Sequence, residues 1–214
     1  MENHSSPNHN EVTYIKALSR SSTVEAYSNW NELSYAEQLC LENVVHDKMQ
    51  VLDLGCGTGR IPYILGAKFD YYLGVDRSFE MIEVAKKQNP NFNFVCEDIL
   101  SLNISDNKFD AVLMMNNVID ILNPVDRRAG IFSLVKSVLK PSGALIFSSH
   151  LLLDNSLSGY YKEDYHGATV ETYKSSFSQI CSEIEINGFD VQIALRDNRK
   201  GTANWAYFVV NNSR

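Results

Sequence analysis

The chain has 214 residues, somewhat more than one average domain at ~100–200 residues per domain. Apolar residues are 44% and charged residues 21%, the balance of a globular domain with an ordinary core. Lys and Arg total 19 against 26 Asp and Glu, so the net charge of −7 argues against nucleic-acid wrapping and against anionic membrane surfaces.

The longest apolar run, Trp205 to Val210, falls far short of the ~20 residues of a membrane span. The N-terminus lacks the basic start and apolar stretch of a secretory signal, so a cytoplasmic protein is expected. Cys40, Cys56, Cys96 and Cys181 are too dispersed for a zinc knuckle or a redox pair and read as reduced core thiols. No metal site is expected.

Residues 1–12 are polar and read as a disordered leader. Residues 13–48 read as an N-terminal helical lid, with Ser34 and Glu37 at capping-box spacing. Strands are then expected at Val51–Leu54, Tyr71–Val75, Phe92–Cys96, Phe109–Met115 and Ala144–Ser149, with helices between them. Ser78 caps one of these helices, and Pro141-Ser142-Gly143 ends another. Such alternation predicts right-handed crossovers and a parallel sheet with helices on both faces.

The pattern then changes. Residues 150–170 read as a loop-like, Tyr-rich insertion, and Glu171–Asn187 as a helix stopped at Gly188. Phe189–Leu195 and Asn204–Val210 follow with too short a connection for a parallel crossover, so they form an antiparallel pair. Residues 13–214 are expected to form one domain.

The informative stretch is Asp53-Leu54-Gly55-Cys56-Gly57-Thr58-Gly59-Arg60, where a strand runs into three glycines and then a helix. Glycines let the backbone approach a ligand closely, and the start of a helix offers free amides. The dinucleotide spacing Gly-x-Gly-x-x-Gly fails, because its third glycine would fall on Arg60 or Pro62. A phosphate-binding Lys-Ser/Thr pair is also absent.

These residues resemble motif I of the class I S-adenosylmethionine-dependent methyltransferases. The resemblance continues through Gly74-Val75-Asp76-Arg77-Ser78, Cys96-Glu97-Asp98-Ile99, Phe109-Asp110-Ala111-Val112 and the turn at residues 138–145. Together these elements run from about Trp30 to His150. The resemblance implies an α/β, Rossmann-like, seven-stranded sheet, mostly parallel, with a reversed C-terminal antiparallel hairpin.

It also implies S-adenosyl-L-methionine as cofactor and S-adenosylhomocysteine as product. Gly55, Gly57 and Gly59 would line the methionine portion, with Asp53 ordering the loop or reaching the ammonium. Arg60 would pair with the cofactor carboxylate, and Arg77 belongs to the same cofactor set. Asp76 would take the ribose hydroxyls, Asp98 the adenine amino group and the Ile99 amide a ring nitrogen. Asn116 would meet the methionine end or the acceptor.

The acceptor is expected to be a small molecule methylated at nitrogen or oxygen. No Asp/Asn-Pro-Pro-Tyr/Phe signature of base methylation follows the fourth strand. His150 is the candidate base, and Asp120 would orient the acceptor. Tyr14, Tyr27, Trp30, Tyr160, Tyr161, Tyr165 and His166 are candidates for an aromatic roof. Methylation of a protein or peptide and non-catalytic cofactor binding stand as the alternatives. A monomer or a homodimer fits equally.

Overall fold

The computed structural model describes residues 9–104, 108–122, 125–152, 157–197 and 204–213. Most of the expected leader, and the link between the last two strands at 198–203, lie outside these residues. The helix α1 already begins within the expected leader, at His9.

Among the described residues nine strands occur: β1 (Met49–Leu54), β2 (Phe69–Asp76), β3 (Asn93–Cys96), β4 (Phe109–Met114), β5 (Leu139–Leu151), β6 (Gly159–Tyr165), β7 (Ala168–Lys174), β8 (Phe189–Asp197) and β9 (Asn204–Asn212). The helices are α1 (His9–Leu18), α2 (Ser21–Ser28), α3 (Tyr35–Val44), α4 (Arg60–Leu65), α5 (Phe79–Gln88), α6 (Val125–Val138) and α7 (Phe177–Ile186). The seven-stranded sheet has the order β3-β2-β1-β4-β5-β9-β8. Strands β1 to β5 pair in parallel, and β9 runs antiparallel to both β5 and β8.

The sheet divides the core. Leu52, Val112, Met114, Leu145, Phe147 and Phe208 pack on one face, and Val51, Ala111, Leu113, Ile146, Tyr207 and Val209 on the other. This is the period-2 alternation of a sheet covered on both sides. The caps formed locally as expected. Ser34 Oγ accepts from the Glu37 amide at 3.2 Å, and Glu37 Oε2 accepts from the Ser34 amide at 2.7 Å. Ser78 Oγ accepts from the Met81 amide at 3.3 Å.

Two expectations fail after β5. Residues 159–174 form a hairpin, β6–β7, with seven residue pairs in register, rather than a loop and the start of a helix. Its turn is His166-Gly167, both left-handed at φ +49° and +72°, the conformation a two-residue hairpin turn requires. The helix α7 therefore starts only at Phe177, behind a Ser176–Gln179 capping box. β5 also runs on through His150 to Leu151. All four cysteines are free, but Cys96 is exposed and is not a core thiol. Among the described residues, no helix is long and apolar enough to cross a membrane.

Candidate functional site

The sheet order reverses between β1 and β4, and a cavity opens beyond the carboxyl ends of β1, β2, β3 and β4. Open α/β sheets bind ligands at this topological switch point. Asp53, Gly55, Gly57, Arg60, Asp76, Arg77, Asp98, Ile99 and Asn116 all line the cavity. Further walls come from α1 (Tyr14, Ile15, Leu18), α2 (Tyr27), α6 (Arg127), β6 (Tyr165) and the turn after β4 (Val118, Ile121, Leu122).

Gly55, Gly57 and Gly59 have φ of +77°, +54° and +78°. A Cβ at Gly55 would overlap Val118 Cγ2, and one at Gly59 would lie 2.7 Å from Asn89 Nδ2. A Cβ at Gly57 would meet nothing nearer than Tyr27 Cδ1 at 3.9 Å. Gly57 therefore leaves room at the cavity, whereas Gly59 packs the loop onto α5 and lies off the cavity wall. The loop uses its own amides. Those of Gly55 and Cys56 donate to Val75 O at 2.7 and 3.1 Å, and that of Gly59 to Cys56 O at 3.0 Å.

Asp76 is buried and organises two loops. Its Oδ2 accepts from the Gly57 amide at 3.0 Å and its Oδ1 from the Ser78 amide at 2.9 Å. Burial nevertheless raises its carboxyl above the ordinary value, against the amides of Ser78, Gly57 and Arg77 that pull it down. Asp53 accepts from Tyr72 Oη at 2.6 Å. Burial pushes its carboxyl up to about 7, with Tyr72 pulling the other way.

Arg60 differs from its expected role. Its Nη2 lies 2.6 Å from Glu37 Oε1, its Nη1 donates to Glu32 O at 2.7 Å, and its guanidinium stacks 4.3 Å above Trp30. Glu37, recognisable in the sequence only as a helix cap, thus ties α3 to the glycine loop. Burial would raise the Glu37 carboxyl, but Arg60 and Ser34 together hold it below its usual value.

Asp98 caps the turn after β3 and accepts from the Leu100 amide at 3.0 Å. Arg127, which sequence reasoning missed, donates to both its oxygens at 3.2 and 2.9 Å. Burial alone would raise the Asp98 carboxyl, but Leu100, Arg127 and Arg77 hold it low.

The two catalytic candidates are brought together, but not at the cavity wall. His150 Nδ1 lies 3.2 Å from Asp120 Oδ2, and the His150 amide donates to the same oxygen at 2.7 Å. Asp120 also accepts from Ser149 Oγ at 2.6 Å and lies 3.7 Å from Arg128 Nη1. Neither His150 nor Asp120 lines the cavity. The extension of β5 turns His150 into a core residue against Trp205, with ring centroids 4.4 Å apart. Asn117 lies between, its amide donating to Ser148 Oγ at 3.2 Å and its Nδ2 lying 3.3 Å from His150 Nδ1. Asn116 and Asn117 are both left-handed, at φ +56° and +54°. Asn tolerates that conformation better than most residues, and the adjacent Asn pair was the available signal.

The roof is a tyrosine cluster. Tyr14 and Tyr165 stack with centroids 4.6 Å apart, and the Tyr27 and Tyr165 hydroxyls share a hydrogen bond. Arg20 Nη1 donates to His166 O, tying the segment after α1 to the hairpin. Burial raises all three phenols above their ordinary value. Trp30, Tyr160, Tyr161 and His166, also candidates for the roof, lie off the cavity wall.

Residues 51–143 match a family model described as a methyltransferase domain. The chain is 32% identical over 121 residues to a ubiquinone biosynthesis O-methyltransferase of Coxiella burnetii, covering 55% of this chain and 48% of the relative. It is 33% identical over 134 residues to a malonyl-[acyl-carrier protein] O-methyltransferase of Priestia megaterium, covering 59% and 47%. The chain thus spans about half the length of these curated relatives. Among solved structures, a 1,6-didemethyltoxoflavin-N1-methyltransferase of Burkholderia thailandensis with bound S-adenosylhomocysteine superposes at TM-score 0.73 and 15% identity, covering 100% of this chain and 94% of that one. The [4+2]-cyclase SpnF superposes at TM-score 0.70 and 16% identity, covering 97% and 98%.

The strand order, the reversed hairpin and the glycine loop at the switch point define a Rossmann-like methyltransferase fold. Over residues 51–143 the chain is similar to a methyltransferase domain, set within that fold.

Proposed function

We propose that this chain transfers the methyl group of S-adenosylmethionine to a small-molecule acceptor, at nitrogen or oxygen, and releases S-adenosylhomocysteine. One observation carries the reading. A glycine loop in which a Cβ at Gly57 would make only ordinary contact with Tyr27 meets Asp53, Asp76 and Asp98, from three successive strand ends, around one cavity.

The residues present fit the cofactor. A carboxylate has about four acceptor positions, so Asp76 keeps capacity for ribose hydroxyls after its two amide bonds. Asp53 offers a buried carboxylate to a cationic methionine end. Ile99 gives the base an apolar wall. When bound, S-adenosylmethionine supplies an electrophilic methyl on a sulfonium. The protein's own contribution is orientation, for which effective molarities of ~10⁵–10⁸ M are attainable. Arg60, held by Glu37, is assigned to bracing the loop.

The walls from α1 and β6 are apolar or phenolic, and the turn after β4 adds Val118, Ile121 and Leu122 beside the Asn116 amide. Among the described residues lining those walls there is no His, Asp or Glu. That favours a neutral, compact acceptor whose accepting atom already carries a free lone pair, and it disfavours an ammonium that must first lose a proton. Two curated relatives are named as O-methyltransferases and a structural neighbour as an N-methyltransferase, which supports both accepting atoms. SpnF carries a different activity in its name on the same fold, so the fold alone does not decide.

The test is methyl-labelled S-adenosylmethionine with a panel of phenols, carboxylic acids and aromatic nitrogen heterocycles. Labelled small product with matching S-adenosylhomocysteine is expected. Tight cofactor binding with no transfer to any panel member or peptide would favour a non-catalytic binding protein.

A further inference from the structure

Tyr14 of α1, Tyr27 of α2 and Tyr165 of β6 all line the cavity. Their hydroxyls meet, although the three elements lie far apart in the chain. The Tyr165 hydroxyl bonds those of both Tyr14 and Tyr27, and the Asn117 side chain bonds that of Tyr14. The rings are held as well. Tyr14 stacks on Tyr165 with centroids 4.6 Å apart, and the Thr58 hydroxyl of the glycine loop donates to Tyr27 O at 3.2 Å.

Each phenol carries one hydroxyl hydrogen and can also accept. Two bonds among three hydroxyls use two of the three hydrogens. Among the described residues, the third falls to Asn117 or to a ligand. An asparagine side chain both donates and accepts, so Asn117 can serve Tyr14 as a donor and release that hydrogen. Burial holds all three phenols above their ordinary value, so near neutral pH they act as donors and not as bases. Asp53, Asp76 and Asp98 line the same cavity, and their charge opposes an anion there. The roof therefore suits an uncharged atom with lone pairs and no hydrogen to place, which describes a carbonyl oxygen.

We propose that the hydroxyls of Tyr14, Tyr27 and Tyr165 act as one donor site that holds a carbonyl oxygen of the methyl acceptor, so that the substrate is a neutral, compact carbonyl compound. The three tyrosines then determine specificity, and none of them moves a proton. An apolar roof would reject such a compound, because a carbonyl buried without a donor costs free energy. This inference rests on the S-adenosylmethionine reading above.

The experiment titrates the whole chain, saturated with S-adenosylhomocysteine, with acetophenone, ethylbenzene and benzoate, followed by nuclear magnetic resonance. Acetophenone differs from ethylbenzene only by a carbonyl in place of a methylene. Wild type is expected to bind acetophenone at least about fivefold more tightly than ethylbenzene, and benzoate more weakly than acetophenone. The variant Tyr14→Phe/Tyr27→Phe/Tyr165→Phe keeps the rings and removes the three hydroxyls. In it the preference for acetophenone is expected to vanish or reverse. A merely structural role for the hydroxyls would change both neutral ligands alike and leave their ratio unmoved.

A wild-type ratio below about fivefold overturns the proposal, as do tighter binding of benzoate, a ratio retained in the variant, or binding of none of the three probes. If the triple variant does not fold, the wild-type ratios decide. If wild type does not bind S-adenosylhomocysteine, the cofactor reading itself fails and the inference with it; binding of S-adenosylhomocysteine without the acetophenone preference overturns only the inference.

Discussion

The Gly57 amide donates to Asp76 Oδ2 at 3.0 Å, joining the end of β2 to the glycine loop after β1. One carboxylate therefore sets the shape of the loop and faces the cavity. Asp76→Ala is expected to weaken S-adenosylhomocysteine binding by about 1.5–3 kcal/mol, roughly 10- to 150-fold, through lost charge-assisted hydrogen bonds. Calorimetry on a variant with wild-type circular dichroism checks this; unchanged affinity contradicts it.

The glycines separate by what surrounds them. Gly55→Ala adds an overlap with Val118 to the strain of φ +77°, whereas Gly57→Ala carries strain alone. Left-handed backbone costs an L-residue about 1–2 kcal/mol, and overpacking adds typically about 1–3 kcal/mol. Gly55→Ala is therefore expected to lose about 2–5 kcal/mol in urea unfolding and Gly57→Ala about 1–2 kcal/mol. The reverse order would show that the loop relaxes around Val118.

Asp53 gives the binding a pH dependence. Its carboxyl rises from 3.8 to about 7 in the folded protein, first by burial. Between those values the folded state holds a proton that the unfolded chain has released. Stability from this group is complete below about pH 4 and is lost as pH rises towards 7. Asp76, also raised by burial, adds a slope of the same sign. Unfolding titrations of wild type against Asp53→Asn should show the variant gaining relative stability across that window. A cationic ligand favours the ionised form, so its binding near pH 7 should release protons from wild type and fewer from the variant. Equal proton release from wild type and variant, obtained from binding heats in buffers of different ionisation enthalpy, would contradict the assignment.

Arg128 anchors the floor beneath the Asn116–Asn117 turn. Its Nε and Nη2 bond Glu183 at 3.0 and 2.8 Å, and its Nη1 donates to Ile119 O at 2.8 Å. Removing one partner from a buried pair costs about 3–5 kcal/mol; Glu183 is partly exposed, so the lower end is expected here. Arg128→Met should lose about 3 kcal/mol, and Arg128→Lys should not rescue it, because a lysine cannot bond both Glu183 oxygens in parallel. A loss below about 1 kcal/mol would show that the pair stabilises little.

Much of this was legible from local signals. The strand–glycine–helix pattern located the cavity, and the acids at the ends of β1, β2 and β3 lie on it. Ser34, Ser78 and Gly188 mark helix ends because caps are decided by neighbours in sequence. Contacts between distant elements were not legible. Glu37 reads as a cap, but its pairing with Arg60 depends on how α3 folds over the loop. Arg127 sits on a helix whose sequence gives no hint of Asp98. His150 and Asp120 were read as a base and as an acceptor-orienting acid, and their contact with each other, away from the cavity wall, was not legible. β5 extends two residues beyond its expected end, and the strand alternation carries His150 into the core beside Trp205. The hairpin β6–β7 was obscured because its polar, Tyr-rich strands lie outside the main sheet; His166-Gly167 was its one turn signal.

The most direct test of the central claim is calorimetry of the whole chain with S-adenosylmethionine, S-adenosylhomocysteine and NADH on one sample. Both sulfur ligands are expected to bind, each with the affinity loss in Asp76→Ala given above, and NADH to give no heat. Binding of NADH alone would contradict the glycine-spacing argument and move the site to redox chemistry.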